Sequence, residues 1–126
     1  MTLGQVGVHG GVDWPVARLT GEVDLSNIEE LSSLVQAAVT NAAVGLVLDL
    51  TGVSYLDSTG LRMVFQLARG LRHRQQQLVL VVPPDAIIWP VLRCSGVPGV
   101  IEVFADVADA LASTLAGALP DPAGAS

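Results

Sequence analysis

The sequence contains no lysine; all six of its basic residues are arginine. That absence excludes a P-loop, which needs a lysine at the β- and γ-phosphates, and it disfavours Schiff-base chemistry. Histidine and cysteine are almost as scarce. His9 and His73 lie far apart in sequence, and Cys94 is the only cysteine. Three such residues so dispersed argue against a structural zinc site, so no metal and no cofactor is expected. A single cysteine cannot form an internal disulfide, which fits a reduced, cytoplasmic setting. No apolar run approaches the roughly 18–20 residues needed to cross a bilayer, and Met1 to Gly11 lacks the basic start of a signal peptide. No membrane association is therefore expected. Twelve acidic residues against six basic ones give a formal charge of −6. That balance argues against nucleic acid as a partner.

What is present is apolar and regularly punctuated. Half of the 126 residues are apolar, enough for one domain with a proper core. Val16–Val23 reads as a strand, and a weaker one around Gln5–Val8 precedes it across Gly10-Gly11, which predicts a hairpin. Ser26-Asn27-Ile28-Glu29 has the spacing of a capping box, with Ser26 at the N-cap. Behind it Ile28, Leu31, Leu34, Val35, Ala38, Val39 and Ala42 fall on one helical face. Gly45–Leu50 is a continuous apolar strand, and the next helix turns Leu61, Val64, Phe65, Ala68 and Leu71 inward.

Leu78–Val82 is another apolar strand, stopped by Pro83-Pro84. A short helix is expected over 86–95, with Ile88, Val91 and Leu92 inward, Cys94 buried, Pro90 near its first turn and Gly96 as its stop. Val100–Phe104 reads as a last strand, followed by a helix capped by Asp106 and carrying Val107, Ala110, Leu111 and Leu115. The order ββαβαβαβα predicts one α/β domain: a mostly parallel central sheet with an N-terminal hairpin strand, covered by about four helices. The domain is expected over residues 1–117, with a disordered tail at 118–126. Trp14 and Trp89 fit a core or an interface equally, and the pattern leaves the oligomeric state open.

The chemistry concentrates at Asp57-Ser58-Thr59-Gly60-Leu61, where a strand passes into a helix. Ser58 there is either an N-cap, worth about 1 kcal/mol, or a site where a phosphate is written and read. A phosphate beside a helix N-terminus is electrostatically favoured, so it would leave the helix intact while adding roughly two negative charges to an external surface. In a parallel sheet Asp24, which ends one strand, and Asp57, which ends the connection after the next, share an edge with Ser58. Each is otherwise a turn former or a cap. Arg62, Gln66, Arg69 and His73 form a polar stripe on the outer face of the second helix, either solvated or a docking surface.

Catalysis finds no support in this set. Gly-x-Ser-x-Gly is absent, and His73 stands roughly 20 Å along the helix from Ser58 by helical rise, too far to act as its base. Asp57 as a phosphoacceptor of the receiver type would need an acidic pair and a lysine, and the lysine is missing.

Taken together, Gly21-Glu22-Val23-Asp24, Leu46–Val53 and Asp57-Ser58-Thr59-Gly60-Leu61 resemble the STAS domain of bacterial anti-sigma factor antagonists. The likeness extends through Leu78–Val82, Leu92–Gly96 and Val103–Leu111, about residues 5–116. It implies a non-enzymatic binding module that switches partners. The unmodified antagonist binds an anti-sigma factor that is also a GHKL-type serine kinase, freeing a sigma factor for transcription. Phosphorylation ends the binding, and a PP2C-like phosphatase restores it. Carried over, Ser58 is the phosphoacceptor, with Thr59 as the alternative. Asp24, Asp57 and Gly60 are its neighbours, and Leu61, Arg62, Met63, Gln66 and Arg69 belong to the helix expected to contact the kinase. The chain departs from the resemblance at Gln75-Gln76-Gln77, where the family often carries glycine. Some STAS relatives are not phosphorylated and serve as stressosome-like scaffolds or lipid-transport subunits, which is the alternative role.

Overall fold

The computed structural model describes residues 4–115; the expected tail at 118–126 lies outside them. Five strands form one sheet in the order β1-β2-β3-β4-β5. Strand β1 (Gln5–Gly10) pairs antiparallel with β2 (Pro15–Val23), while β3 (Gly45–Leu56), β4 (Gln77–Val81) and β5 (Glu102–Phe104) follow in parallel. The connecting helices are α1 (Ile28–Ala37), α2 (Ser58–His73) and α3 (Trp89–Ser95), and α4 (Val107–Leu115) closes the described chain.

Strand alternation splits the core into two layers. Ala17, Leu19, Leu46, Leu48, Leu50, Leu78, Leu80 and Val82 point to the face covered by α1, α2 and α3, where Leu31, Val35, Val64, Leu67, Leu71 and Leu92 meet them. Val16, Val47, Val79 and Val81 point the other way, onto Trp14 and onto Ala110 of α4. Three successive right-handed crossovers along one direction of a sheet place their helices on a single face. The fourth helix, free of that constraint, covers part of the opposite face. Trp14 is thus a core residue, whereas Trp89 is half-buried with the Arg93 guanidinium 5.1 Å from its ring centroid.

Strand β3 runs six residues beyond the expected Gly45–Leu50, staying paired with β2 through two register shifts until both end at Val23 and Leu56. Arg18 and Thr20 pair with Asp49 and Gly52, and Gly21 and Glu22 pair with Val53 and Tyr55, so β3 gains one residue at each shift. A bulge leaves a backbone N–H without a ladder partner. At the first one, the buried Asp49 carboxylate accepts both the Thr51 N–H (2.9 Å) and the Thr51 hydroxyl (2.5 Å). Its other oxygen faces Arg18 Nε at 3.8 Å, a partly solvated pair of small energetic weight.

Other expectations shift for identifiable reasons. Ser26 does not cap α1: its N–H and hydroxyl both donate to Asp24 Oδ1, which spends the side chain on the preceding turn. Asn27 occupies the N-cap instead, with Nδ2 donating to the Glu22 carbonyl (2.7 Å) and Oδ1 accepting from Asp24 N–H (3.1 Å). Helix α1 ends at Ala37; beyond it Val39 is buried as expected, but Ala42 is exposed and Ala43 is buried in its place. Leu34 lies on the helix flank and is 46% exposed. Strand β5 is only Glu102–Phe104, because Val97–Gly99 forms a 3-10 turn before it.

Helix α3 begins with Pro90 in its first turn and ends at Gly96 with φ +82, the left-handed closure that glycine favours. Its inward residues are Ile88 and Leu92, which leaves Val91 partly exposed and Cys94 fully on the outer side. Asp106 accepts the Asp109 N–H (2.7 Å) and caps α4 as expected.

The glutamine run performs a structural task. Gln75 adopts φ +60, the conformation where glycine is common. Gln76 is buried, and its Nε2 donates to the carbonyls of Thr40 and Ala43, each at 2.9 Å. This amide ties the α1–β3 loop to the start of β4. Replacing Gln76 with alanine strands two carbonyls and opens a cavity, and should cost about 2–4 kcal/mol in chemical denaturation. Gln75→Gly relieves the positive φ and should leave stability unchanged or raise it by up to about 1 kcal/mol.

Candidate functional site

The ends of β2 and β3 build the site. Val23 pairs with Leu56, and Asp57 N–H donates to the Val23 carbonyl at 3.4 Å. Asp24 and Asp57 therefore leave neighbouring strands at one edge of the sheet, and α2 starts there. Asp57 is the N-cap of α2: its backbone is extended (φ −96, ψ −174) and Oδ1 accepts the Gly60 N–H at 3.0 Å. The carboxylate also lies at the positive end of the helix dipole.

Because Asp57 takes the cap, Ser58 does not. Ser58 is the first helical residue and exposed, and among the described residues its hydroxyl has no hydrogen-bond partner. The sequence left Ser58 as a cap or a modifiable group, and the geometry removes the first role. Asp24 is engaged with Ser26, so neither carboxylate holds the Ser58 hydroxyl. Thr59, the alternative acceptor, is half-buried.

Gly60 sits where the helix crosses the strand ends. A Cβ there would collide with Leu56 Cδ1 and come within 3.2 Å of Val23 Cγ1. The missing side chain lets the first turn of α2 rest directly on the β2–β3 pair, which sets where Ser58 emerges.

The remaining candidates divide by burial. Arg62, Gln66, Arg69 and His73 are exposed along the outer face of α2, and Leu61 is half-buried against the core. Met63 is only 4% exposed and belongs to the core, which corrects its reading as part of an outward contact surface. The inward face is Gly60, Met63, Val64, Leu67 and Leu71, a stripe displaced toward α1 from the one read by periodicity. Between α1 and α2 runs an open cleft of about 420 Å³, with Thr59, Arg62 and Gln66 on one side, Glu29 and Ser32 on the other, and Met63 also lining it.

Two exposed apolar residues escaped the sequence reading. Leu25, in the turn after β2, is 75% exposed, and Ile87, in the turn after β4, is 73% exposed. Leu25 follows Asp24 and so lies at the edge from which Ser58 emerges, whereas β4 stays paired with β3 only as far as Asp49 and Val81. An isolated apolar residue between Asp24 and Ser26 is the only signal the sequence offered for Leu25. No group of three or more histidine, cysteine or acidic residues among the described ones is arranged to hold a metal ion.

These roles separate by mutation. Asp57→Ala should cost about 1 kcal/mol in thermal or chemical unfolding, as loss of an N-cap does, and Ser58→Ala should stay within about 0.5 kcal/mol. Gly60→Ala should destabilise by about 1–3 kcal/mol through overpacking at Leu56 and Val23. A larger loss for Ser58→Ala than for Asp57→Ala would contradict the assignment of the cap.

Comparison with known proteins places this geometry. The STAS domain family model matches residues 5–110. The anti-sigma-B factor antagonist of Listeria monocytogenes is 31% identical over 85 residues, covering 68% of this chain and 74% of that protein. An anti-sigma factor antagonist from Mycobacterium paratuberculosis superposes with a TM-score of 0.77 at 22% identity, over 88% of this chain and 93% of the other. The Bacillus cell fate determinant SpoIIAA, solved in its phosphorylated form, superposes with a TM-score of 0.66 at 21% identity, over 89% and 99%. The two structural likenesses establish the α/β fold with its five-stranded, mostly parallel sheet; the family match and the Listeria relative establish kinship. The chain belongs to the STAS domain family, among the anti-sigma factor antagonists.

Proposed function

We propose that this protein is a non-enzymatic partner switch controlled at Ser58. In its unmodified form it binds an anti-sigma factor that is also a GHKL-type serine kinase, which releases a sigma factor for transcription in the cytoplasm. The kinase transfers the γ-phosphoryl group of ATP to Ser58 Oγ: the new O–P bond replaces the serine O–H, ADP leaves, and the proton passes to the kinase or to water. A PP2C-like phosphatase hydrolyses the phosphoserine and restores binding.

The observation that carries this reading is the free, exposed Ser58 hydroxyl on the first residue of a helix capped by Asp57. A hydroxyl that no hydrogen bond holds is open to a kinase, and its phosphorylation leaves the helix cap intact. The added phosphate meets the first-turn N–H groups favourably, so the helix keeps its place while the surface charge changes. Asp57 and Asp24 lie at the same edge and oppose a phosphate, which favours a modification that resets readily. A structural neighbour solved in phosphorylated form shares the fold, so the fold is compatible with phosphorylation.

Leu25 supplies the adhesive part. An exposed apolar side chain at the phosphoacceptor's edge gives a partner something to bury, and a phosphate there imposes a desolvation cost on that burial. Arg62, Gln66 and Arg69 extend the surface along α2.

Capture of cellular proteins by the unmodified, Ser58→Ala and Ser58→Asp forms, read by mass spectrometry, tests the switch. A GHKL-type kinase should come down with the first two forms and be lost with Ser58→Asp. Identical partners on all three would sink the switch and leave a scaffold. Once the kinase is in hand, Leu25→Glu should weaken binding about tenfold, or ~1.4 kcal/mol, with unchanged thermal stability.

A further inference from the structure

The sheet ends on one side in a strand that carries none of the usual protections. Strand β1 is six residues long, pairs with β2 in unbroken register from Gln5 to Gly10, and contains no acid, arginine or proline. Only Val6 in it is better than exposed. Its outer edge presents alternate N–H and C=O groups, and among the described residues no strand pairs with that edge. Proteins commonly blunt such an edge with a short strand, a charge, a proline or a bulge. The opposite edge is so blunted: β5 has three residues and begins with exposed Glu102.

A second observation points to the same side. The register Val6↔Leu19 and Val8↔Ala17 turns both valines toward the helix-covered layer, because Ala17 and Leu19 belong to that core. Val6 packs against the core, but Val8 is 54% exposed. Above this edge, Leu34 projects from the flank of α1 opposite the cleft with α2 and is 46% exposed. The apolar layer thus continues past the last strand and stops without cover.

We propose that β1 pairs edge to edge with β1 of a second copy of this chain. An antiparallel pairing about a twofold axis at Gly7 sets Val6 beside Val8 of the partner subunit and Val8 beside Val6 of the partner subunit. It joins two five-stranded sheets into one and brings the two Leu34 flanks together over the seam. An isologous contact needs a surface complementary to itself, and this strand meets that need with a glycine at its centre, a valine on each side and no charge to repel its copy. Self-repulsion is otherwise built into a chain of formal charge −6, so a neutral edge is where two copies can meet. The seam is lateral, whereas Ser58 emerges at the end of β3, so the proposal does not depend on the switch and leaves that site open in both copies.

Sedimentation velocity on the full chain across a concentration series tests it, together with a Gly7→Cys variant made in a Cys94→Ser background. A mass twice that of the monomer is expected, with Val8→Lys returning it to a folded monomer that keeps its cooperative unfolding. The Cα separation across an antiparallel pair is about 4.5–5.5 Å, within disulfide reach, so the introduced cysteines should oxidise to a covalent dimer. A Cβ at Gly7 meets nothing within 4 Å, so the substitution is tolerated by the fold. A monomer at every concentration with no such cross-link would overturn the pairing, including the case in which the edge accepts a strand from a different protein. A dimer that survives Val8→Lys would overturn it as well.

Discussion

The parallel pairing of β2 with β3 is the contact on which the rest of the site depends. Two bulges in β3 let it keep pace with β2 up to Val23 and Leu56, where both strands end together. Asp24 and Asp57 then leave the sheet side by side, and α2 starts from a defined point on its edge. Each bulge exposes backbone polar groups that something must satisfy, and at the first of them the buried Asp49 carboxylate does so for Thr51. The irregularity is therefore specified by a side chain and not merely tolerated.

From that edge follows a division of labour between adjacent residues. Asp57 satisfies the helix N-terminus through the Gly60 N–H, and Gly60 lets the helix sit down on Leu56 and Val23. Ser58 is left with no structural duty. A residue that both caps a helix and receives a phosphate would couple the signal to local unfolding; here Asp57 holds the cap, so under the proposed switch the two tasks fall to different side chains. A modification at Ser58 would then alter charge and shape at the surface without disturbing the layers beneath, as the proposed binding switch requires. At the same edge the chain exposes the apolar side chain of Leu25, which the interior has no use for.

Much of this was legible in the residue order. The apolar runs at Gly45–Leu50 and Leu78–Val82, the amphipathic stretches between them and the Gly96 and Asp106 punctuation follow from periods of 2 and 3.6 and from cap chemistry. The errors share one cause. Ser26 matched a capping box, but its hydroxyl found Asp24 nearer than the helix. Leu34 lost the inward place its spacing implied and Met63 the outward one the resemblance implied, because a neighbouring helix covers one flank of α1 and α2 while the sheet edge leaves another bare. Cys94 was read as buried from its residue type, yet a seven-residue helix has room for only one inward stripe, held by Leu92. In each case a local pattern offered two satisfactory partners, and long-range packing selected one.

The sequence by itself determined the α/β class, the strand and helix order and the junction at which chemistry concentrates, since these rest on periodicity and on backbone preferences of single residues. It also identified Ser58, Asp57 and Asp24 as the residues to watch. Only the tertiary structure decided what each does. Which carboxylate caps α2, whether the Ser58 hydroxyl is free, which side of α2 faces inward and which sheet edge stays open depend on contacts between segments distant in the chain. Those contacts arise from strand register and helix packing, and neither is encoded in any short window of residues.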